Sequence, residues 1–444
     1  MGDISWFQRG RFGVLWHFGV YSAAGIPPSW PLAEGLLTYD QYEALAWDFK
    51  PAGFDPAEWA ALAKEAGACY AILTAKHHDG FAMWNTATTD FCAPKTAAGR
   101  DLVMVWVEAM RSAGLKVGLY FSLPDWHTPD YPVDSDLSIP GFMPARPPLA
   151  WPPNPYHKIS DDPARWQRFL NFMRTQLEEL LHSGGYGPID LLWFDGGWEH
   201  TVEEWNGYEV VRQIRGWQPN IILNDRIHPG MFGVRTTVDP GLSDYIECEM
   251  LLPAPLTTDP WERALTMSDQ WSFVPSDDTF KSTGELIRML AETASGGGTL
   301  LLDMGPNGKG LLPGNCASRL LTIGDWMRGN GDAIRGTGKA ILGLLPIPVA
   351  PSHCGVATLN RDSGWLYLHI FSAPPNNQVE VPNVKLPVLE VKLLASGRAL
   401  QWFQPMSPDP LGYYGNRLLI DLPREWQDPY DTVVAVRLAM QLQE

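Results

Sequence analysis

"IDLLWFDGGW", residues 189–198, decides how this chain is read. Leu191 to Phe194 is an unbroken apolar run, the pattern of a strand buried on both faces of a parallel sheet rather than one with a wet face. The run stops at Asp195, followed by two glycines, so an acid stands at a strand end with little bulk around it. Seven other runs follow the same grammar: 12–19, 69–75, 116–122, 220–225, 244–247, 269–273 ("DQWSF") and 299–304. Helical patterns lie between several of them, at 55–67, 101–114 and 161–185. Asp55, Asp101 and Asp161 are the expected N-caps, and Gly67, Gly114 and Gly184 the expected stops. Eight strands, most followed by a helix, predict a (β/α)8 TIM-like barrel over residues 1–337. A doubly wound sheet is the competing fold, but no GxGxxG follows the first strand.

Beyond residue 337 the helical period disappears. "GWLYLHIFS", "VLEVKLLASG", "ALQWFQP", "NRLLIDLP" and "DTVVAVRLAM" read as strands joined by turns, so residues 338–444 are expected to form a small C-terminal antiparallel β-sandwich domain. The proline-rich stretch 127–160 has no period and is expected to be a long ordered loop over the barrel mouth.

Composition narrows the function classes. A chain of 444 residues with net charge −17 and no Lys/Arg cluster argues against nucleic acid and against an anionic membrane surface as partners. Cys69, Cys92, Cys248, Cys316 and Cys354 are scattered without CxxC spacing, so neither a disulfide scaffold nor a cysteine zinc site is expected. The sequence shows no signal-peptide pattern and no bilayer-length apolar run, and cytoplasmic location is expected, secretion being the alternative had a signal been trimmed. Twenty tryptophans, several in Pro- or Gly-rich loops, serve mainly as packing anchors, but they also offer flat faces for sugar rings.

In a barrel enzyme the chemistry gathers at the C-terminal strand ends. Those ends carry His17, then His77, His78, Asp79 and Trp84, then Tyr120 and Ser122, then Trp193 and Asp195. Asn224, Asp225 and Arg226 follow on the fifth, and Glu247 and Glu249 on the sixth. Asp195 is the strongest candidate, a helix N-cap being its bland alternative. Paired with a second carboxyl such as Glu249, it would suit glycoside hydrolysis, retaining at about 5 Å separation and inverting at a wider one. Glu247 and then Glu262, expected in a loop or helix start before the seventh strand, rank behind Glu249. A metal site using His17 and Asp195 is a weaker reading: adjacent His77 and His78 should point apart, and no H-x-H opens the first strand. No metal and no cofactor are expected.

Together "RFGVLWHFGVYS", "AKHHDGFAMW", "GLYFSLPDWH", "LLWFDGGW", "PWERALTMSDQWSF" and "LLLDMGPNGKGLLP" resemble the α-L-fucosidases of glycoside hydrolase family 29, in order across residues 6–337. The resemblance implies a retaining exo-hydrolase acting on terminal α-L-fucose of an oligosaccharide or glycoconjugate. It places Asp195 on the family nucleophile and His17, His77 and His78 on histidines that grip fucose hydroxyls. Trp193 and Arg226 fall on further subsite residues, Tyr120 on the third-strand tyrosine, and Trp30 on a first-loop tryptophan whose usual acidic neighbour is Ser29 here. Glu249 best occupies the acid/base slot, with Glu247 the fallback, and Trp84 is expected to shape the pocket wall. "HFG" and "QWSF" depart from the family's "HWG" and "SWGY", which bears on linkage and aglycone preference. An α-L-galactoside hydrolase and a non-catalytic fucose-binding protein are the alternatives. Linkage, natural substrate and oligomeric state are not legible in the sequence.

Overall fold

The computed structural model describes residues 1–132, 156, 158–228, 237–251, 257–340, 355–382, 384–405 and 417–439; most of the proline-rich stretch lies outside them. Eight parallel strands form one curled sheet: β1 (Phe12–Trp16), β2 (Tyr70–Lys76), β3 (Lys116–Ser122), β4 (Leu191–Asp195), β5 (Ile222–Leu223), β6 (Ile246–Glu249), β7 (Trp261–Thr266) and β8 (Thr299–Met304). Their order is β5-β4-β3-β2-β1-β8-β7-β6. The two edge strands approach each other through an isolated parallel bridge between Asn224 and Tyr245 and an Asp244 N–H donated to Leu223 O at 2.8 Å.

The pleat sorts side chains into two cores. Leu15, Tyr70, Ile72, Tyr120, Leu191, Trp193, Ile222, Tyr245, Ala264 and Leu301 share one cluster that no long helix enters. Residues one step away (Val14, Trp16, Ala71, Leu73, Leu119, Leu192, Phe194, Leu302) pack instead with the helices. Trp16 illustrates the second class, stacking on Trp59 at 5.5 Å and meeting Trp106 edge-on at 6.2 Å. The burial of each such side chain contributes on the order of 2 kcal/mol. Helices Pro56–Ala66 and Leu102–Ser112 start as expected at Asp55 and Asp101, whose carboxylates accept from Ala57 N and Met104 N. Helix Pro163–Glu178 is capped by Asp162, one residue later than expected, because Asp162 accepts from both Ala164 N and Arg165 N.

One strand differs from expectation. Residues 269–273 form bends, and β7 lies earlier, at "WERALT". The Glu and Arg in that segment mask the apolar run that parallel strands usually show. Glu262 is therefore inside the sheet, wholly buried, rather than in a loop or helix start.

The C-terminal region adds β9 (Gly338–Lys339), β10 (Gly355–Asn360), β11 (Trp365–Ile370), β12 (Gln378–Val381), β13 (Val388–Leu393), β14 (Trp402–Phe403), β15 (Leu418–Asp421) and β16 (Thr432–Leu438). They form antiparallel sheets of order β13-β16-β11-β10-β9 and β12-β15-β14. Leu366, Leu368 and Val434 of the first sheet and Val379, Leu418 and Ile420 of the second share one apolar core. β10 and β12 were not among the expected strands. Among the described residues, no helix is long and apolar enough to cross a membrane.

Candidate active site

Strand parity decides which residues reach the enclosed end of the sheet. Leu15 faces inward, so His17 does too; Trp193 faces inward, so Asp195 does too. On β2 the parity is reset. The β2–β3 register shifts between Thr74 and Lys76, so one residue is bulged out. Lys76 consequently points into the helix layer, where its ammonium meets Asp125 at 3.2 Å and Gln176 at 3.0 Å and lies 4.5 Å from the Phe121 ring centroid. His77 then enters the cleft. His78 lies in the turn past the strand end, where alternation no longer holds, and its ring is 4.3 Å from that of His77. The two histidines converge rather than diverge, contrary to the strand-based expectation. Gly80 holds φ at +80°, and a Cβ there would come within 2.2 Å of Asp125 Oδ1.

The hydrogen-bond network assigns each histidine tautomer. His17 donates from Nδ1 to Asp303 Oδ1 at 2.6 Å. Ser29 Oγ gives its proton to Asp79 Oδ2, so at 2.6 Å it accepts from His77 Nδ1. Ser122 Oγ gives its proton to Pro124 O, so at 2.7 Å it accepts from His78 Nδ1. With Nδ1 engaged in all three, Nε2 is the nitrogen that His17 and His77 can offer to a ligand, while that of His78 lies 3.6 Å from Asp195 Oδ2. Burial, with His78 and His17 adding to it, pushes His77 well below its usual value, so His77 is a neutral acceptor. Asp79 accepts from Tyr42 OH at 2.6 Å and from Phe81 N at 2.9 Å, and it braces the turn.

Asp195 is held on both oxygens. Tyr120 OH donates to Oδ2 at 2.5 Å; Arg226 donates to Oδ1 from Nη2 at 2.6 Å and from Nε at 2.9 Å. The third guanidinium nitrogen, Nη1, reaches Glu247 and Glu249, each at 2.8 Å. Three carboxyl groups thus share one buried cation, an arrangement that favours a proton on one of them. Burial chiefly pushes both glutamates above the usual range, against the pull of Arg226; for Glu249 the charge of Asp195 adds to the rise. The Glu249 side chain keeps 14% exposure against 1% for Glu247, which leaves Glu249 the carboxyl facing the opening. The guanidinium itself lies between two indoles, 5.1 Å from Trp193 and 5.0 Å from Trp198.

Trp30 stands at the rim, 5.7 Å from His78 and 5.6 Å from Trp126. Trp84 does not join this group. It is fully buried in the helix-side core, and its indole N–H donates to Glu179 Oε2 at 3.0 Å. The same β2 turn that brings the histidines in carries Trp84 out. Glu262 also lies away from the opening, under Trp193, whose Nε1 donates to it at 2.7 Å. Asp303, Trp198 and Trp271, the last 5.4 Å from His17, were not among the candidates. Asp303 ends the apolar run "TLLLDM" and could have been flagged by the logic applied to Asp195.

His77, His78 and Asp195 offer ligand atoms within 4.8 Å of one another. Ligands bonded to one ion at about 2 Å stand roughly 3–4 Å apart, so the surroundings rather than the spread decide against a metal here. Both Asp195 oxygens are bonded elsewhere, beside a guanidinium that would repel a cation. The set is better matched to sugar hydroxyls: ring-nitrogen acceptors, carboxylates and aromatic faces around one cleft.

The family model described as Alpha-L-fucosidase matches residues 3–332. The chain is similar to the human tissue alpha-L-fucosidase, 30% identical over 359 residues that cover 74% of this chain and 68% of that protein. It is 27% identical to the alpha-L-fucosidase of Dictyostelium discoideum, covering 83% and 78% of the two chains. The solved alpha-L-fucosidase isoenzyme 1 of Paenibacillus thiaminolyticus superimposes with a TM-score of 0.83 at 32% identity, over 98% of this chain and 99% of that one.

Proposed function

The chain belongs to the alpha-L-fucosidase family and is a glycoside hydrolase, and from that premise we propose a retaining exo-hydrolysis of terminal α-L-fucose by double displacement. Asp195 attacks the anomeric carbon while Glu249 protonates the departing glycosidic oxygen. Glu249 then takes a proton from water, whose oxygen displaces Asp195 and restores the enzyme. The carrying observation is the single Arg226 guanidinium bonded to both carboxyl groups, which keeps them within the span of one side chain. Two carboxyl groups gathered on one cation are what glycoside hydrolysis requires, and the retaining course is the one the family resemblance implies. His17, His77 and His78 hold sugar hydroxyls, the first two through Nε2; Tyr120 and Arg226 orient the nucleophile, and Trp193 and Trp30 supply apolar walls. Fucosylated oligosaccharides or glycoconjugates are the substrates.

The same reading takes the curled sheet as a closed (β/α)8 barrel within a catalytic domain 1–337. The two antiparallel sheets, with their common core, then make a sandwich domain, 338–444.

The test follows 4-nitrophenyl α-L-fucoside by proton NMR. Retention predicts the α-anomer of fucose as the first product, before mutarotation, and a 2-fluoro-fucosyl fluoride should label the Asp195 peptide. A first-formed β-anomer would sink the mechanism. Glu249→Gln should slow substrates with poor leaving groups far more than the nitrophenyl glycoside; equal losses would assign Glu249 a structural role.

A further inference from the structure

Beneath the cleft lies a carboxyl that the proposed reaction does not use. Glu262 is wholly buried on β7 and accepts three hydrogen bonds, from Tyr70 OH at 2.6 Å, Trp193 Nε1 at 2.7 Å and Tyr245 OH at 3.5 Å. Burial pushes it up to about 7, against these three bonds. A carboxyl kept at such a desolvation cost in an otherwise aromatic floor invites a functional explanation. It is too deep to reach a leaving group, since the Trp193 ring lies between it and the cleft.

What it touches is informative. An indole N–H is a donor only, so a buried Trp193 has one way to be pinned, and Glu262 supplies it. The ring faces of Trp193 carry the site: the ring stacks on Tyr120 at 5.4 Å, with 19° between planes, and supports the Arg226 guanidinium at 5.1 Å. Tyr120 and Arg226 are the two side chains that hold Asp195.

We propose that Glu262 is a positioning residue: by fixing the Trp193 indole from below, it sets the Tyr120 hydroxyl and the Arg226 guanidinium that aim Asp195. This rests on the reading of Asp195 as nucleophile. The link is one of placement, and a small error in such placement can cost roughly 100-fold in rate.

A double-mutant cycle tests it, with Trp193→Phe removing the pinned N–H while keeping an aromatic face. Glu262→Leu and Trp193→Phe should each lower kcat on 4-nitrophenyl α-L-fucoside by roughly 10- to 100-fold with KM changed less than about threefold, and the double variant should be no slower than the worse single one. Glu262→Gln, which keeps a carbonyl acceptor for the indole, should recover most of the lost kcat. Additive losses, or Gln as damaging as Leu, would overturn the proposal. Should Glu262→Leu fail to accumulate as folded protein, the Glu262→Asp variant, whose shorter carboxylate withdraws from the indole, takes its place under the same criterion. The outcome is separable from the nucleophile assignment, because labelling of Asp195 by the fluorinated sugar reports on that assignment in the unaltered enzyme.

Discussion

At the mouth of the parallel sheet, His17 Nδ1 meets Asp303 at 2.6 Å; in the C-terminal sheets, His369 Nδ1 meets Asp431 at the same 2.6 Å. Both aspartates are fully buried, and each has one oxygen without a hydrogen-bond partner among the described residues. What separates the pairs is the second nitrogen. The His17 ring stands among those of His77, Tyr120 and Trp271 at the cleft. His369 Nε2 instead lies 3.4 Å from Thr358 Oγ1, whose proton goes to Ala333 O, and Trp326 donates to Asp431 O across to the helix layer. One pair presents a nitrogen; the other fastens the C-terminal sheets to helix Gly314–Asn330 and the turn after it. On the proposed function, identical chemistry becomes recognition or mortar according to what meets the far side of the imidazole.

The sharpest way to break this contrast is at Asp195, the group the mouth is built around. Asp195→Asn should lower kcat/KM on a nitrophenyl α-L-fucoside by at least about 10³-fold with an unchanged melting temperature. Retained turnover would mean the cleft does something else. Next come the two pairs themselves. Asp303→Asn should reduce kcat/KM by roughly 10- to 100-fold, because a neutral amide, which can also turn its NH2 toward Nδ1, holds the His17 tautomer less firmly than a carboxylate. Asp431→Asn should leave kinetics unaltered and lower unfolding free energy by about 1–3 kcal/mol in denaturant titrations. A kinetic defect in the Asp431 variant would erase the distinction.

The pairs should also respond to pH. Burial raises Asp303 from its ordinary 3.8 to about 6, against the pull of His17. Its folded value lies above the unfolded one, so its contribution to stability is full below about 3.8 and is lost as pH rises through about 6. The carboxylate that orients His17, however, forms only as pH rises through that range. Activity should therefore climb through about pH 6 while this stability contribution declines, and Asp303→Asn should flatten both trends. The smallest effect belongs to Trp84: replacing it with Phe should cost about 1 kcal/mol through the lost Glu179 bond and leave KM alone.

Much of this was readable in the chain. β3 and β8 fall on the residues that their apolar runs predict, because strands buried on both faces leave an unbroken signal. β7 does not, since Glu262 and Arg263 interrupt that signal for reasons that lie in the floor and the helix layer. Asp195, His17, Tyr120 and Arg226 come together as strand-end logic expects. Trp84 was misplaced because it lies beyond the end of β2, where the turn rather than strand alternation sets its direction, and periodicity cannot show the path of a turn. Asp303 was overlooked because a carboxyl closing an apolar run resembles a cap until a histidine on the neighbouring strand is seen to lean on it.

Arg226 has one more consequence for the double-displacement reading. When Asp195 bonds to the sugar, its negative charge vanishes, and at that moment Glu249 has just surrendered its proton. The guanidinium is then left facing a neutral ester on one side and a newly made anion on the other. Its attraction passes from the first carboxyl to the second without any atom having to travel far. One fixed cation can thus serve as counter-ion in both halves of the cycle, steadying the nucleophile in the first and the base in the second.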